Sequence, residues 1–329
     1  MLRILHDTNY DFIRWWKVMA AITIAFIVLG LGSLAIKPLN LSIEFTGGTL
    51  IQLEFTRPPD VSAIRSTLDQ AAIKGAEIQQ FGSNREFTVR AQDPAAVASQ
   101  SKGAEAVAVT IERVLKQKFG ENSLRVVRTE GVGPRVGSEL KRGAITAILL
   151  SFLITLVYLS IRFEWRFATA AVIATSHDVF TTIAFLKLMH LEISLTVVAG
   201  LLTVLGYSLN DTIIIFDRVR ENLRKGRKET LYETLNRSIN ETLPRSVLTH
   251  ATVFAATLSL LIFAGEVIRP FAWVMAFGVV TGTFSSIYVA APVLLWIERK
   301  WPRKTGARQS SSTATPISRT QRSPATATR

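Results

Sequence analysis

Few side chains in this sequence combine chemical reactivity with an unfavourable setting, and most of those that do stand inside apolar runs. An ionisable group in hydrocarbon costs several kcal/mol unless it is paired or hydrated, so each one needs a reason to be there. Asp211 is followed by Ile213, Ile214, Ile215 and Phe216 before Asp217 and Arg218 mark a boundary. At the rise of an α-helix, that puts it roughly 8 Å inside. Arg245 follows Pro244 and opens the next apolar run, where proline suits a first helical turn. The two lie at similar depth from one face, so an ion pair between them is geometrically allowed; the plainer reading of Arg245 is an interfacial arginine. Thr196, Gly200, Thr203, Tyr207 and Asp211 recur at spacings of three and four, with Asn210 adjoining. Such a polar stripe faces other helices or water rather than lipid. A helix-packing face of small residues would explain most of it, but packing does not require a carboxylate.

Asp178 and His177 fall near the middle of another apolar run, where Thr175, Asp178 and Thr182 share a face. His177 reads as a neutral hydrogen-bonded histidine and Asp178 as a buried acid. Two membrane aspartates raise the alternative of an intramembrane aspartyl protease, whose two carboxyls must touch. Counted from the inner ends of their helices, Asp178 is roughly 18 Å deep and Asp211 roughly 8 Å, which argues against a dyad. His250 and Glu298 carry less weight. The chain contains no cysteine, so disulfides, thiolate metal sites and cysteine nucleophiles are excluded. No cofactor or metal is expected.

These side chains must be positioned by membrane helices. The chain has 329 residues, 48% of them hydrophobic, too apolar for an ordinary soluble protein. About 20 apolar residues cross a bilayer core, and six stretches qualify: 18–36, 143–161, 167–186, 193–216, 246–264 and 270–297. Lys and Arg gather in the segments 1–17, 162–166, 217–245 and 298–329, whereas the short turns on the other side hold only Lys187 and Arg269. Positive charge resists translocation, so both termini are expected on the cytoplasmic side of a plasma (inner) membrane. The net charge of +13 is then mainly topological. Nucleic-acid binding is not expected, because the basic segments lack interleaved aromatics. Residues 18–36 read as an uncleaved anchor rather than a signal peptide. The basic tail, rich in Ser, Thr and Pro, is expected to be disordered from about residue 303.

Residues 37–142 break the membrane pattern and are expected on the extracytoplasmic side of the membrane. Leu50 to Phe55 alternates as a strand, Asp60 caps a helix carrying Val61, Ile64 and Leu68, and residues 76–81 and 85–90 read as a hairpin. A longer helix over 102–119 turns Val107, Ile111, Leu115 and Phe119 inward, and 124–128 closes the set. The order strand, helix, strand, strand, helix, strand predicts a ferredoxin-like α+β domain (βαββαβ) inserted into an α-helical polytopic membrane protein of six transmembrane helices. An interaction module is the expected role for that insertion.

Several motifs resemble those of the SecF family. They are Glu44-Phe45-Thr46-Gly47-Gly48-Thr49, Gly131-Val132-Gly133-Pro134, Ser176-His177-Asp178, and Gly206-Tyr207-Ser208-Leu209-Asn210-Asp211-Thr212. With them stand Phe216-Asp217-Arg218-Val219-Arg220-Glu221-Asn222 and Leu235-Asn236-Arg237-Ser238-Ile239-Asn240-Glu241-Thr242-Leu243. The resemblance covers nearly the whole chain except the tail; Glu44 stands where relatives often carry Asp. It implies a membrane subunit partnered by SecD, acting with the SecYEG-type channel and the motor SecA, with YajC and YidC-type proteins as further partners. The implied activity is proton-driven assistance to exported polypeptides, outside the enzyme class. It also implies that Asp211 carries the proton and that Arg245 accompanies it. Asp178, His177, Asn210, Thr203 and Tyr207 are candidate supporting polar residues. The rival within the same superfamily, resistance-nodulation-division, is half of a small-molecule exporter; the mildest alternative is a purely structural stabiliser of the channel.

Overall fold

A computed structural model of the chain describes residues 8–73, 75–91, 101–225 and 229–302. The tail from residue 303 lies outside the described residues. Among the described residues six helices are long and apolar enough to cross a membrane. The first comprises α1 (Trp16–Gly32), which tightens into a 3₁₀ turn at Ser33–Ala35. The next four are α5 (Pro134–Arg162), α6 (Trp165–Leu188), α7 (Leu195–Arg224) and α8 (Leu231–Phe263). The sixth runs as α9 (Arg269–Ser285), a π-helical stretch Ser286–Ala290 and α10 (Ala291–Lys300). Exposed apolar side chains such as Ile24, Leu149, Leu153 and Phe263 form its girth, as lipid contact requires.

Between the first and second spans stands the α/β domain. It contains β1 (Gly48–Phe55), α3 (Val61–Gln70), β2 (Glu77–Gln80), β3 (Glu86–Ala91), α4 (Ser101–Phe119) and β4 (Leu124–Val132), preceded by the single turn α2 (Ile43–Thr46). The four strands are antiparallel in the order β2-β3-β1-β4, which is the ferredoxin-like topology. Ile51, Leu53 and Phe55 of β1 and Phe87 and Val89 of β3 face Ile64 and Leu68 of α3 and Ile111 and Leu115 of α4, all 3% exposed or less. The Asp60 carboxylate accepts from Ser62 N at 2.9 Å, capping α3 as its position suggested.

Helix limits differ from the hydropathy limits where polar sequence stays helical. The second span begins at Pro134 rather than Gly143, because proline starts a polar first turn whose N–H it does not need, so the inserted domain ends at Gly133. α7 continues past Asp217 to Arg224, and α8 starts at Leu231 with a Thr230/Glu233 capping box. Pro244 and Arg245 therefore lie inside a long helix instead of opening one. The extension is held by Leu235 and Ile239, buried at 0% and 1%.

These extensions explain two of the quoted motifs. Asn222 Nδ2 donates to Ser238 Oγ at 3.0 Å and to Glu241 Oε2 at 2.9 Å, while Arg218 Nε lies 3.2 Å from Glu241 Oε2. The end of α7 and the start of α8 are thus braced together. Asn236 and Asn240 clamp the segment before α1: Asn240 Oδ1 accepts from Tyr10 N and Asn236 Oδ1 from Phe12 N, each at 2.9 Å.

Candidate functional site

The membrane core is organised around α7, which packs on α9 through small residues. A methyl group added at Gly278 would lie 2.3 Å from a Val204 methyl carbon, and one at Gly282 would lie 3.0 Å from Ser208 Cβ. Backbones this close bring short hydroxyl side chains together across the helices.

Asp178 on α6 sits at their junction with no exposed surface. Its Oδ2 accepts from Ser208 Oγ of α7 at 2.5 Å and from Ser285 Oγ of α9 at 2.7 Å; its Oδ1 lies 3.2 Å from His177 Nδ1. Ser286, where the π-helical stretch begins, shares a 2.8 Å hydrogen bond with Thr212 of α7. A π-helical turn inside an α-helix often marks a functional position, and here it re-aims two consecutive serines toward two different partners. Asp178 is therefore a three-helix pin, and His177 belongs with it.

Asp211 lies one turn further along α7 and is 4% exposed. The Ser246 hydroxyl of α8 donates to its Oδ1. His250, one turn on from Ser246, has Nδ1 2.6 Å from the Ser246 carbonyl oxygen. A carbonyl only accepts, so Nδ1 carries the hydrogen, and in the neutral ring Nε2 is the acceptor. The Tyr207 ring meets the His250 ring edge to face at 5.1 Å between centroids. Asp211, Ser246, His250 and Tyr207 form one polar cluster between α7 and α8.

Three placements differ from the simplest reading of the spacing. Among the described residues the guanidinium of Arg245 is not within ion-pair distance of Asp211, although its charge still acts on that carboxylate: Arg245 is exposed, and the adjacent Ser246 takes the inward position. Successive helical residues differ by about 100° in direction, so only one of the two can face the acid in a given packing. The stripe on α7 is not a single face either. Gly200 and Asp211 are buried, Tyr207 is half-buried, and Thr196, Thr203 and Asn210 are exposed. Spacings of three and four over fifteen residues drift by about 60° around a helix, which carries the lower part of the stripe toward α8. Finally, the depth difference between the two aspartates was overstated. Asp178 contacts Ser208, three residues from Asp211, or about 5 Å along the axis. Asp217 does not end its helix, which continues to Arg224. The acids still form no dyad, since the hydrogen bonds to Asp178 come from Ser208, Ser285 and His177, and that to Asp211 from Ser246.

Ser246, Ser208 and Ser285 were not singled out from sequence. Hydroxyls are common in membrane helices, and only the i, i+4 relation of Ser246 and His250 beside Arg245 offered a signal.

At the N-terminal end of α7 a second polar group connects the helices to the α/β domain. Glu44 Oε2 accepts from Leu195 N at 2.6 Å and from Ser42 Oγ at 3.2 Å. Arg90 of β3 donates to the Leu41 carbonyl at 2.9 Å and pairs with Glu192 in the turn before α7. Burial pushes the Glu192 carboxyl above the usual carboxylate range; Arg90 opposes this, and Glu44, Glu77 and Glu130 reinforce it. Lys187 is buried, and its ammonium donates to the carbonyls of Lys37 and Pro38 at 2.5 and 3.1 Å.

Comparison with known proteins covers both regions. The family profile described as "Protein export membrane protein SecD/SecF, C-terminal" matches residues 110–300, and the "SecD/SecF GG Motif" matches residues 32–59. The protein translocase subunit SecF of Gemmatimonas aurantiaca is 62% identical over 92% of this chain and 91% of its own. That of Vibrio alginolyticus is 41% identical over 88% of this chain and 90% of its own, and that of Escherichia coli O157:H7 is 38% identical over 88% of each. Among solved structures, the translocon-associated membrane protein SecDF of Thermus thermophilus matches 91% of this chain with a TM-score of 0.79 and 33% identity. A structure of SecDF in a super-membrane-facing form matches 90% with a TM-score of 0.65 and 34% identity. The chain spans 40% of either SecDF chain.

Proposed function

Because this chain belongs to the SecF family of protein translocase subunits and so serves Sec-dependent protein export as a multipass membrane protein, we propose that it couples that export to a proton gradient through Asp211. In this reading it sits in the plasma membrane with both termini cytoplasmic and works beside a SecD half. Support for the partner comes from the open face of α7 and α8. Thr196, Thr203, Gly206 and Asn210 on α7, with Arg245, Thr249 and Thr252 on α8, are exposed within the membrane girth. Small polar residues of this kind suit a neighbouring helix bundle or a water path better than acyl chains.

The observation that carries the proton reading is the Asp211–Ser246 contact. A carboxylate held by one hydroxyl, with a histidine one turn away, can exchange a proton and change partners in doing so. Ionised Asp211 is an acceptor for Ser246 Oγ–H; once protonated it has a donor of its own and a weaker hold on α8. Arg245 precedes Ser246 on that helix, about 100° around it, so a rotation of α8 toward that angle exchanges serine for arginine opposite the acid. Two packings of α8 against α7 then differ in which residue faces Asp211. A membrane potential contributes about 2.3 kcal/mol per charge per 100 mV, enough to bias two packings a few kcal/mol apart. The α/β domain on the outer side would pass that change to the emerging polypeptide.

The test is gradient-stimulated export in vesicles reconstituted with the SecD partner and the export channel. Asp211→Asn should abolish the stimulation while the protein still accumulates and still copurifies with SecD. Stimulation that survives in that variant would overturn the proposal.

A further inference from the structure

Glu44 lies outside the six membrane-length helices and far along the chain from Asp211, yet its carboxylate touches the first residue of the helix that carries Asp211. The first turn of a helix leaves backbone N–H groups unpartnered, and an anion placed there also meets the positive end of the helix dipole. α7 satisfies one such group itself, since Ser194 Oγ accepts from Val197 N at 3.3 Å. The Leu195 N–H is taken instead by Glu44, which belongs to a different segment. We propose that Glu44 is the positioning residue that fastens the α/β domain to α7, so that the domain and the helix bearing Asp211 move as one body.

The surrounding contacts all bind the same two pieces. Leu41 and Ile193 pair in a parallel bridge, with Ser42 N donating to Ile193 O at 2.9 Å and Ile193 N to Asn40 O at 2.7 Å. Arg90 ties β3 to both sides of that bridge, through the Leu41 carbonyl and Glu192. Past Glu44 the chain has little slack before β1. Gly47, at φ 73°, lies against Pro134, where an added Cβ would come 3.0 Å from the proline Cα, and β1 starts at Gly48. Residues 44–48 thus connect the outer end of α7, the start of α5 and the first strand of the sheet within five residues. From Leu195 to Asp211 the helix runs sixteen residues, about 24 Å, and transmits axial displacement without a break. This inference rests on the reading of Asp211 as the coupling acid, and it gives that acid an output.

The absence of native cysteines allows a direct test. Residues paired across a β-bridge have Cα atoms about 5 Å apart, within disulfide range, so Leu41→Cys with Ile193→Cys can be oxidised to lock the joint. In an otherwise unchanged chain the oxidised bond should leave gradient-stimulated export as it is when reduced. Glu44→Ala should lower that stimulation about fivefold, the shift in a two-state equilibrium that loss of one helix cap produces. Oxidising the 41–193 bond in the Glu44→Ala chain should restore stimulation, and reductant should remove it again. Rescue by a bond that replaces the joint would not follow if Glu44 served only local folding. Full stimulation in Glu44→Ala, no rescue, or inhibition by the bond in the chain with Glu44 intact would each overturn the proposal. Should Glu44→Ala fail to assemble, the last of these arms still decides. If Asp211→Asn itself retains stimulation, the proton reading has failed whatever the Glu44 series gives.

Discussion

Gly278→Ala offers a quantitative probe of the α7–α9 contact on which the polar core depends. The new Cβ would lie 2.3 and 2.6 Å from the two Val204 methyl carbons and 3.0 Å from its Cβ. Val204 is 2% exposed, with no room to turn away, so the two helices must separate. Overpacking by one methyl costs about 1–3 kcal/mol. Separation would also stretch the hydrogen bonds of Ser208 and Ser285 to Asp178, so the upper part of that range applies. For a protein of this size the melting temperature in detergent should fall by about 2–4 °C per kcal/mol, or about 4–12 °C in all. Val204→Ala alone removes two buried methyls, at about 1 kcal/mol each. The double variant has lost only one methyl in total, and its melting temperature should lie above that of Gly278→Ala. The coupling in the double-mutant cycle should then reach about 2 kcal/mol. Strictly additive losses, or a Gly278→Ala chain that melts like the parent, would refute the claim that this approach sets the geometry around Asp178.

Other perturbations follow from single contacts. Ser246→Ala removes the hydroxyl that donates to Asp211 and should destabilise the chain by about 1–2 kcal/mol; combined with Asp211→Asn the losses should be less than additive, and additivity would contradict the pairing. Glu192 has a raised carboxyl pKa in the folded chain, above its ordinary 4.5, so the folded state binds its proton more readily than the unfolded state. Its contribution to stability therefore grows as pH falls from neutrality toward the ordinary carboxylate range. The melting temperature of the parent relative to Glu192→Gln should rise over that window; a constant difference would count against the assignment. Asn240→Ala removes the acceptor for Tyr10 N and a donor to the Tyr10 carbonyl, so limited proteolysis should cut ahead of α1 in the variant under conditions that spare the parent.

Much of this architecture was legible in the sequence for simple physical reasons. Apolar runs of bilayer length set the spans, and period-two and period-3.6 patterns set the order of the inserted domain. Hydropathy could not mark where α7 ends and α8 begins, because their polar extensions are stabilised by Asn222, Glu241 and Asn240 rather than by lipid. The acid at the centre of the site was evident from the improbability of a carboxylate in that run. Its partner was not. Arginine is the countercharge that residue type points to, whereas the inward position belongs to Ser246, one residue of helical phase away. Glu44 stood in a quoted motif, but nothing in its spacing tied it to Leu195, which is 151 residues away and meets it only through the fold.

The central claim is that Asp211 itself takes up and releases the coupling proton. Infrared difference spectra of the reconstituted complex with SecD, recorded as the medium is acidified, report the protonation of individual carboxyls when compared with a single-site variant. The account predicts a carboxylic-acid band that appears on acidification in the parent and is missing from Asp211→Asn. Identical difference spectra for the two chains would contradict it.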